Sequence, residues 1–277
     1  MNIDPKDVLK KVQWKDLLQL NCYEKTHELF LSTPWLLSSF IAYHHHYFIV
    51  GLACSFMFFL TALRQVHDAY HYALGINKLG TERFMLIMSP LMLCSAHAIQ
   101  FNHLRHHQLN LNHEDIEAMS AKMPAWKAIL IGPWFPIKLH IHALKIGHFN
   151  IKKWIYLELI ICLIWIYFVF FIINIDFLKY HTMTMTMTMT MTMIMIMIMA
   201  FGECLTSFFA VWTVHHDCDE HGPNSRSIRN GFKAIITYNL FYHYKHHLFP
   251  AVPTSKLHII AKRLDKTYPN LTIKNVF

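Results

Sequence analysis

Charged side chains are scarce in this chain of 277 residues, where Asp, Glu, Lys and Arg together make up only 15%. Hydrophobic residues reach 54%, above the roughly 45–50% that is usual for soluble globular domains. The shortage of charge argues against a soluble enzyme and favours a polytopic membrane protein. The net charge of +8 fits the cation excess of cytoplasmic loops, and it is weak ground for nucleic-acid binding.

The sequence also lacks the motifs of several cofactor sites. Its six cysteines include no CxxC spacing and four lie in apolar stretches, which argues against iron–sulfur, cysteine–zinc and disulfide frameworks. There is no GxGxxG, HExxH or His-Pro-Gly-Gly segment, so nothing indicates a nucleotide cofactor, a metalloprotease or a haem domain. The first thirty residues mix Lys, Asp and Glu without an apolar core, which predicts a cytoplasmic segment rather than a cleaved signal.

Long apolar runs are abundant in the first half of the chain. An aromatic and histidine-rich cluster interrupts one of them, so we predict a hairpin of spans near 33–43 and 47–66. The run at 84–101 contains a proline and lies between two histidine motifs, and we expect it to be re-entrant or interfacial rather than a crossing. The mixed segment 123–150 predicts helices that lie against the membrane surface.

A second hairpin is predicted from the apolar run at 154–175 and another that ends near residue 214. The latter begins in a Thr-Met and Ile-Met repeat at 182–199, a low-complexity tract whose origin we attribute to repeat slippage. Its alternation resembles a strand, but an isolated strand cannot pair its backbone in lipid, so we expect a helix. With these spans, 24 of the 25 Lys and Arg residues fall on one side, and only Lys179 falls on the other.

The predicted fold class is therefore all-α: a polytopic membrane protein with about four transmembrane helices in two hairpins and a cytoplasmic helical cap. We expect residues 1–30 to form a cytoplasmic segment, residues 31–265 the membrane domain and residues 266–277 a C-terminal tail. The charge bias places both termini and all the histidine motifs in the cytoplasm.

Histidine is unusually frequent, with 22 residues, and ten of them fall in four clusters. The clusters are His67 and His71; His103, His106 and His107; His215 and His216; and His243, His246 and His247. Helical residues at i, i+3 and i+4 share a face, so an HxxHH box aims its first and third histidines together and displaces the middle one. Histidines of one box that point in two directions can bind two neighbouring metal ions, and imidazole suits Zn, Cu and Fe.

Only one histidine of the third cluster is expected to be a ligand, and His215 is favoured over His216. Most of the histidines outside the clusters are expected to be structural. Asp68, Asp115 and the acidic turn at residues 217–221 are candidates to hold the ligand imidazoles in place.

The last box extends into the segment NLFYHYKHHLFP at residues 239–250, which resembles the N-x-x-x-H-x-x-H-H-L-F-P segment of the membrane fatty acid desaturase family. The resemblance covers roughly residues 30–265. It implies two iron ions bound by the clustered histidines, with His215 or His216 from the third cluster, molecular oxygen as co-substrate, and removal of hydrogens from a fatty acyl chain. It also implies a lipid or acyl-thioester substrate and an external electron donor, either a ferredoxin or a cytochrome b5-like protein. The compact form suggests a bacterial inner membrane.

Two other classes of function remain open at this point. The same kind of site serves hydroxylases and ketolases of acyl chains or carotenoids. A histidine-rich metal transporter is a more distant alternative, because a transporter would place ligands near the middle of its spans. Glu203 is an acidic residue within a predicted span. Basic residues of the cytoplasmic face would attract either an acidic electron donor or anionic lipid headgroups; they are Arg226, Arg229, Lys233, Lys245, Lys256, Lys262 and Arg263.

Overall fold

The computed structural model describes residues 5–168, 196–218, 224–228 and 231–276, and the regular structure in these ranges is entirely helical. The helices are α1 (Pro5–Lys11), α2 (Cys22–Phe30), α3 (Thr33–His44), α4 (Phe48–Tyr70), α5 (Lys78–Met92), α6 (Ala96–Leu109), α7 (Ala125–Leu130), α8 (Phe135–Ile146), α9 (Phe149–Tyr167), α10 (Ile196–His215), α11 (Gly231–Ile236), α12 (His243–Leu248) and α13 (Leu257–Thr267). The expected all-α class is confirmed for this part of the chain.

The first predicted hairpin forms from α3 and α4. His46 adopts a positive φ of 61° in the turn between them. The Tyr43 hydroxyl and the Ser55 hydroxyl share a 3.0 Å hydrogen bond across the pair. A Cβ on Gly51 would lie 2.3 Å from the Tyr43 ring, so the absence of a side chain there permits the close approach.

Two helices in the described ranges, α4 and α10, are long and apolar enough to cross a membrane. A third candidate exists if α5 and α6 together count as one broken span. These two helices meet at 109°, and Leu93 occupies the left-handed region at their junction with a φ of 55°. A straight crossing at residues 84–101 is therefore excluded. At 12 residues, α3 is short for a span, and α9 accounts for the described part of the run at 154–175.

A buried polar cluster fixes the bend between α5 and α6. His97 contacts Glu82 through Nε2 at 2.5 Å and Glu158 of α9 through Nδ1 at 2.7 Å. Glu158 also accepts a hydrogen bond from the Ser95 hydroxyl at the start of α6. Because α6 carries the second histidine box, these contacts orient the box relative to α9. With carboxylate partners on both ring nitrogens, His97 has a structural role outside the four histidine clusters.

The N-terminal segment docks on the last turns of α4 through buried polar contacts. Arg64 donates to Glu28 of α2 at 2.5 Å, and both side chains are almost wholly buried. Gln65 donates to the carbonyl oxygens of Glu28 and Leu29, which are among the free acceptors at the end of α2. These contacts set the position of the α4 end that bears His67.

Replacing Glu28 with alanine is expected to destabilise the folded protein by about 3–5 kcal/mol, because it leaves the Arg64 charge buried without a partner. Thermal unfolding in detergent measures the effect. Glu24→Ala in the same helix removes a capping carboxylate and a partly exposed ion pair, and it should cost about 1 kcal/mol. Equal losses in the two variants would refute the assigned role of the buried pair.

Candidate metal centre

Four separate segments bring the histidine boxes to one place. His67 and His71 lie at the end of α4, the second box lies on α6, His215 ends α10 and the last box forms α12. The stretch Ser207–Trp212 of α10, just before His215, is π-helical. Such segments are frequent at functional sites because they re-aim the side chains that follow.

The imidazoles form two groups in which one ring nitrogen from each residue lies within 4.8 Å of all the others. The first group is His67, His71, His103 and His246, and the second is His106, His215, His243 and His247. Each HxxHH box contributes to both groups. In α6, His103 and His107 lie together with Nε2 atoms 3.2 Å apart, whereas His106 faces the second group. In α12, His243 and His247 lie together at 3.1 Å and His246 faces the first group. This is the division that the spacing predicts.

His107 lies between the two groups. Its Nε2 is 3.1 Å from Nε2 of His246, and its ring stacks on that of His247 at a centroid distance of 4.3 Å. Nine of the ten clustered histidines therefore meet at one centre. His216 does not: its ring stacks on Trp212 at 3.9 Å and its Nδ1 bonds the carbonyl oxygen of that residue.

Partners outside the centre hold three of the imidazoles by Nδ1. Glu117 contacts His103 at 2.7 Å, Asp115 contacts His106 at 2.7 Å, and the carbonyl oxygen of Asn224 contacts His215 at 2.7 Å. Because each acceptor fixes the ring proton on Nδ1, the Nε2 lone pair is left to face the centre. That is the tautomer that a metal ligand needs.

The donor set fits metal ions. Nε2 of His215 lies 2.9 Å from that of His243 and 3.1 Å from that of His106. Because His106 and His215 both use Nδ1 for other partners, their Nε2 lone pairs converge. Both ring nitrogens of His67 and Nε2 of His71 are buried without a partner in the described structure. Buried polar atoms are rarely left unpaired, and a cation in the first group would satisfy Nε2 of His71 and one ring nitrogen of His67.

Burial and neighbouring imidazoles hold the pKa of His243, His246 and His247 well below the ordinary value, which keeps these rings neutral. Burial raises the pKa of Glu117 to about 8, with His106 opposing the rise and Asp115 adding to it. For Asp115 itself burial is the largest single influence and acts in the same direction. The hydrogen bond and charge of His106, together with the backbone N–H groups of Ala118 and Leu111, outweigh it and lower the pKa.

Only one of the carboxylates expected to hold a ligand imidazole in place is seen to do so in the described ranges. Asp115 holds a ligand-type imidazole, as expected. Asp68 instead accepts from the backbone and hydroxyl of Thr254, which ties α4 to the segment after α12. Asp217 pairs with Arg226, and residues 219–221 lie outside the described ranges. Glu117 and Asn224 could not be recognised from the sequence, because a carboxylate 14 residues from His103 and a backbone carbonyl follow no motif.

A cavity of about 80 Å³ adjoins the centre and is lined by residues of α4, α5, α6, α8 and α10. His67, His103 and His243 line one part of it, and Met88, Met92 and other apolar side chains line most of the rest. A centre that opens onto an apolar slot can act on a hydrocarbon chain while its other faces stay buried.

The fold and the centre define a helical protein with candidate membrane spans and a buried polyhistidine site able to hold metal. The chain belongs to the fatty acid desaturase family, whose model, Fatty acid desaturase, matches residues 34–274. No curated protein and no solved structure matches the chain. The family is metal-dependent and membrane-bound, and its members are oxidoreductases that act on lipids.

Proposed function

We propose that this protein is a membrane di-iron oxidase that uses molecular oxygen to introduce a double bond into a fatty acyl chain. The observation that carries the proposal is the pair of buried four-histidine groups at the end of an apolar cavity. Family membership supports iron over zinc or copper, which imidazole ligands also accept. When bound, an iron pair would supply the oxidising power for attack on an unactivated C–H bond.

The protein's own residues would bind the metal ions and orient the acyl chain. His67, His71, His103 and His246 would hold one ion, His106, His215, His243 and His247 the other, and His107 stands beside both. Asp115 and Glu117 keep two of these rings in the ligand tautomer. The apolar walls would exclude water and hold an acyl chain next to His67 and His103.

Hydroxylation or ketolation of an acyl chain or a carotenoid is the second candidate, because the same centre supports both outcomes. The small volume of the cavity, about 80 Å³, favours an unbranched chain over a ring-ended carotenoid. A metal transporter is disfavoured, since the histidines lie at helix ends and enclose a buried centre.

Product analysis separates these reactions. Expression with a saturated acyl substrate is expected to give a product that has lost two hydrogens, as seen by mass spectrometry. A product that has gained one oxygen would establish hydroxylation in its place. No change in any acyl lipid, with metal fully bound, would contradict the proposed function.

We further propose the four-span arrangement, with a cytoplasmic cap that holds the centre, in a bacterial inner membrane. The charge bias supports the orientation. In a background with Cys22 replaced by serine, cysteines placed at His113 and Asn270 should resist an impermeant thiol reagent in intact cells. A cysteine at Lys179, a residue outside the described ranges, should label at once. Labelling of the His113 position in intact cells would overturn this topology.

We propose an external ferredoxin or cytochrome b5-like protein as the electron donor, since these residues show no His-Pro-Gly-Gly, CxxC or GxGxxG motif. Fewer basic residues are available for contact with the donor than the sequence indicated. Lys245 is buried with its amine on the Ser227 hydroxyl, and Arg263 is paired with Asp16. Lys262 remains exposed on α13 and is the better candidate for contact with an acidic partner.

A further inference from the structure

The cavity beside the metal centre has a polar stretch of wall that the proposed reaction does not use. It is formed by Tyr70 of α4, Cys94 at the α5–α6 bend and Glu203 of α10. All three are at least nine-tenths buried, with 4%, 7% and 8% of their surface exposed. Most of the other side chains that line the cavity are apolar, so this stretch of the wall differs from them in carrying hydrogen-bonding groups.

These groups have hydrogen-bonding capacity that the protein leaves open. Within the described ranges the Tyr70 hydroxyl forms no hydrogen bond, and the Glu203 carboxyl has only the weakly donating thiol of Cys94. Tyr70 and Glu203 lie close enough to interact electrostatically. Buried polar groups are almost always paired, and contact with hydrocarbon alone is unfavourable for them. A chain of methylene groups filling this part of the cavity would leave both unsatisfied.

The stretch begins near the metal centre and continues away from it. The Tyr70 ring lies 5.9 Å from that of His103, whereas Glu203 precedes His215 by twelve residues, roughly 18 Å of helix. Cys94 and Glu203 also line a second cavity next to α8 and α9. Cys94 and Glu203 therefore lie between two cavities, with space on both sides of them.

We propose that Tyr70 and Glu203 form a subsite for a hydroxyl group on the substrate chain, which makes a hydroxylated fatty acyl chain the preferred substrate class. This inference rests on the proposed function for the identity of the chain. The substrate hydroxyl donates to the Glu203 carboxyl and accepts from the Tyr70 hydroxyl, so one group satisfies both. Ordered water is the competing occupant, and it would give no preference between substituted and plain chains.

Equilibrium competition on the purified protein in detergent tests the subsite without turnover. Straight-chain fatty acids and their monohydroxy isomers, with the hydroxyl at successive carbons, compete against a labelled unsubstituted acid. One isomer is expected to bind about tenfold more tightly than the unsubstituted acid, the effect of one buried hydrogen-bonded group. Glu203→Leu should abolish this preference and strengthen binding of the plain acid. Tyr70→Phe should reduce the preference several-fold.

Two further variants keep the test decisive. Glu203→Gln preserves the size of the side chain and an acceptor oxygen, so it should retain most of the preference for the hydroxylated isomer. This variant tests the subsite even if Glu203→Leu fails to fold. Thr61→Val removes a buried hydroxyl of α4 that bonds only its own helix, and the preference should not change. Equal binding of all isomers to the wild-type protein would overturn the subsite and favour water. A preference that is undiminished in Tyr70→Phe would overturn the subsite as well. Absence of desaturation in a separate product assay would instead count against the proposed function.

Discussion

Replacing His215 with alanine is expected to remove at least one metal ion and to lower activity by more than about a hundredfold. His215 joins three other imidazoles in the second group, and its Nε2 lies within 3.1 Å of two of them. Loss even of a residue that only supports a ligand typically costs about 10–100-fold, so loss of a ligand should exceed that range. Metal content and acyl-chain oxidation measured on the same preparation give the result.

The neighbouring His216→Ala is the matched control for this prediction. Its ring stacks on Trp212 outside both groups, so metal content should stay at the wild-type level and activity should change by no more than a few-fold. The two variants remove the same side chain from adjacent positions. A protein that loses its metal on replacement of His216 and keeps it on replacement of His215 would reverse the assignment.

Replacing Asp115 with alanine is expected to weaken metal binding by about 10–100-fold without removing any ligand. The carboxylate accepts the Nδ1 proton of His106 at 2.7 Å and also hydrogen bonds with the backbone of Leu111 and Ala118. Without it, the imidazole can rotate or adopt the other tautomer, which turns the protonated nitrogen toward the metal. Titration of metal-free protein with ferrous iron measures the change.

The adjacent acidic residue provides the comparison for Asp115. Glu114 is largely exposed and lies 4.0 Å from the exposed His113, so Glu114→Ala should bind metal as the wild type does. Asp115→Asn keeps an acceptor oxygen and should retain more affinity than the alanine variant. If Asp115→Ala bound iron with wild-type affinity, the assigned role of this carboxylate would be wrong.

The histidine centre could be predicted from the sequence because helical periodicity is local. His103 and His107 share a helix face with His106 displaced, whatever the rest of the fold does, and this spacing is visible in the sequence. The choice between His215 and His216 needed the structure. A turn after His215 separates the two rings, and the sequence does not show where a helix ends to within one residue.

Long-range partners could not be predicted, because they depend on how separate segments pack. Asp68 seemed suited to support an imidazole next to it, yet packing of the C-terminal segment places Thr254 against it. Lys245 looked like part of a basic surface, but α12 turns it inward onto Ser227. Hydropathy likewise predicted an apolar run at 84–101 without revealing that the helix breaks at Leu93.

The central claim is that two iron ions bind between the histidine boxes, and metal analysis of protein purified from its membrane tests it most directly. Elemental analysis per chain, combined with Mössbauer spectroscopy on iron-57-enriched protein, should find two irons per chain in histidine-rich environments, one for each four-histidine group. Both should be lost together with activity when the metal is chelated and regained when ferrous iron is added. A single ion per chain, or zinc that fully occupies the centre of an active protein, would contradict the account.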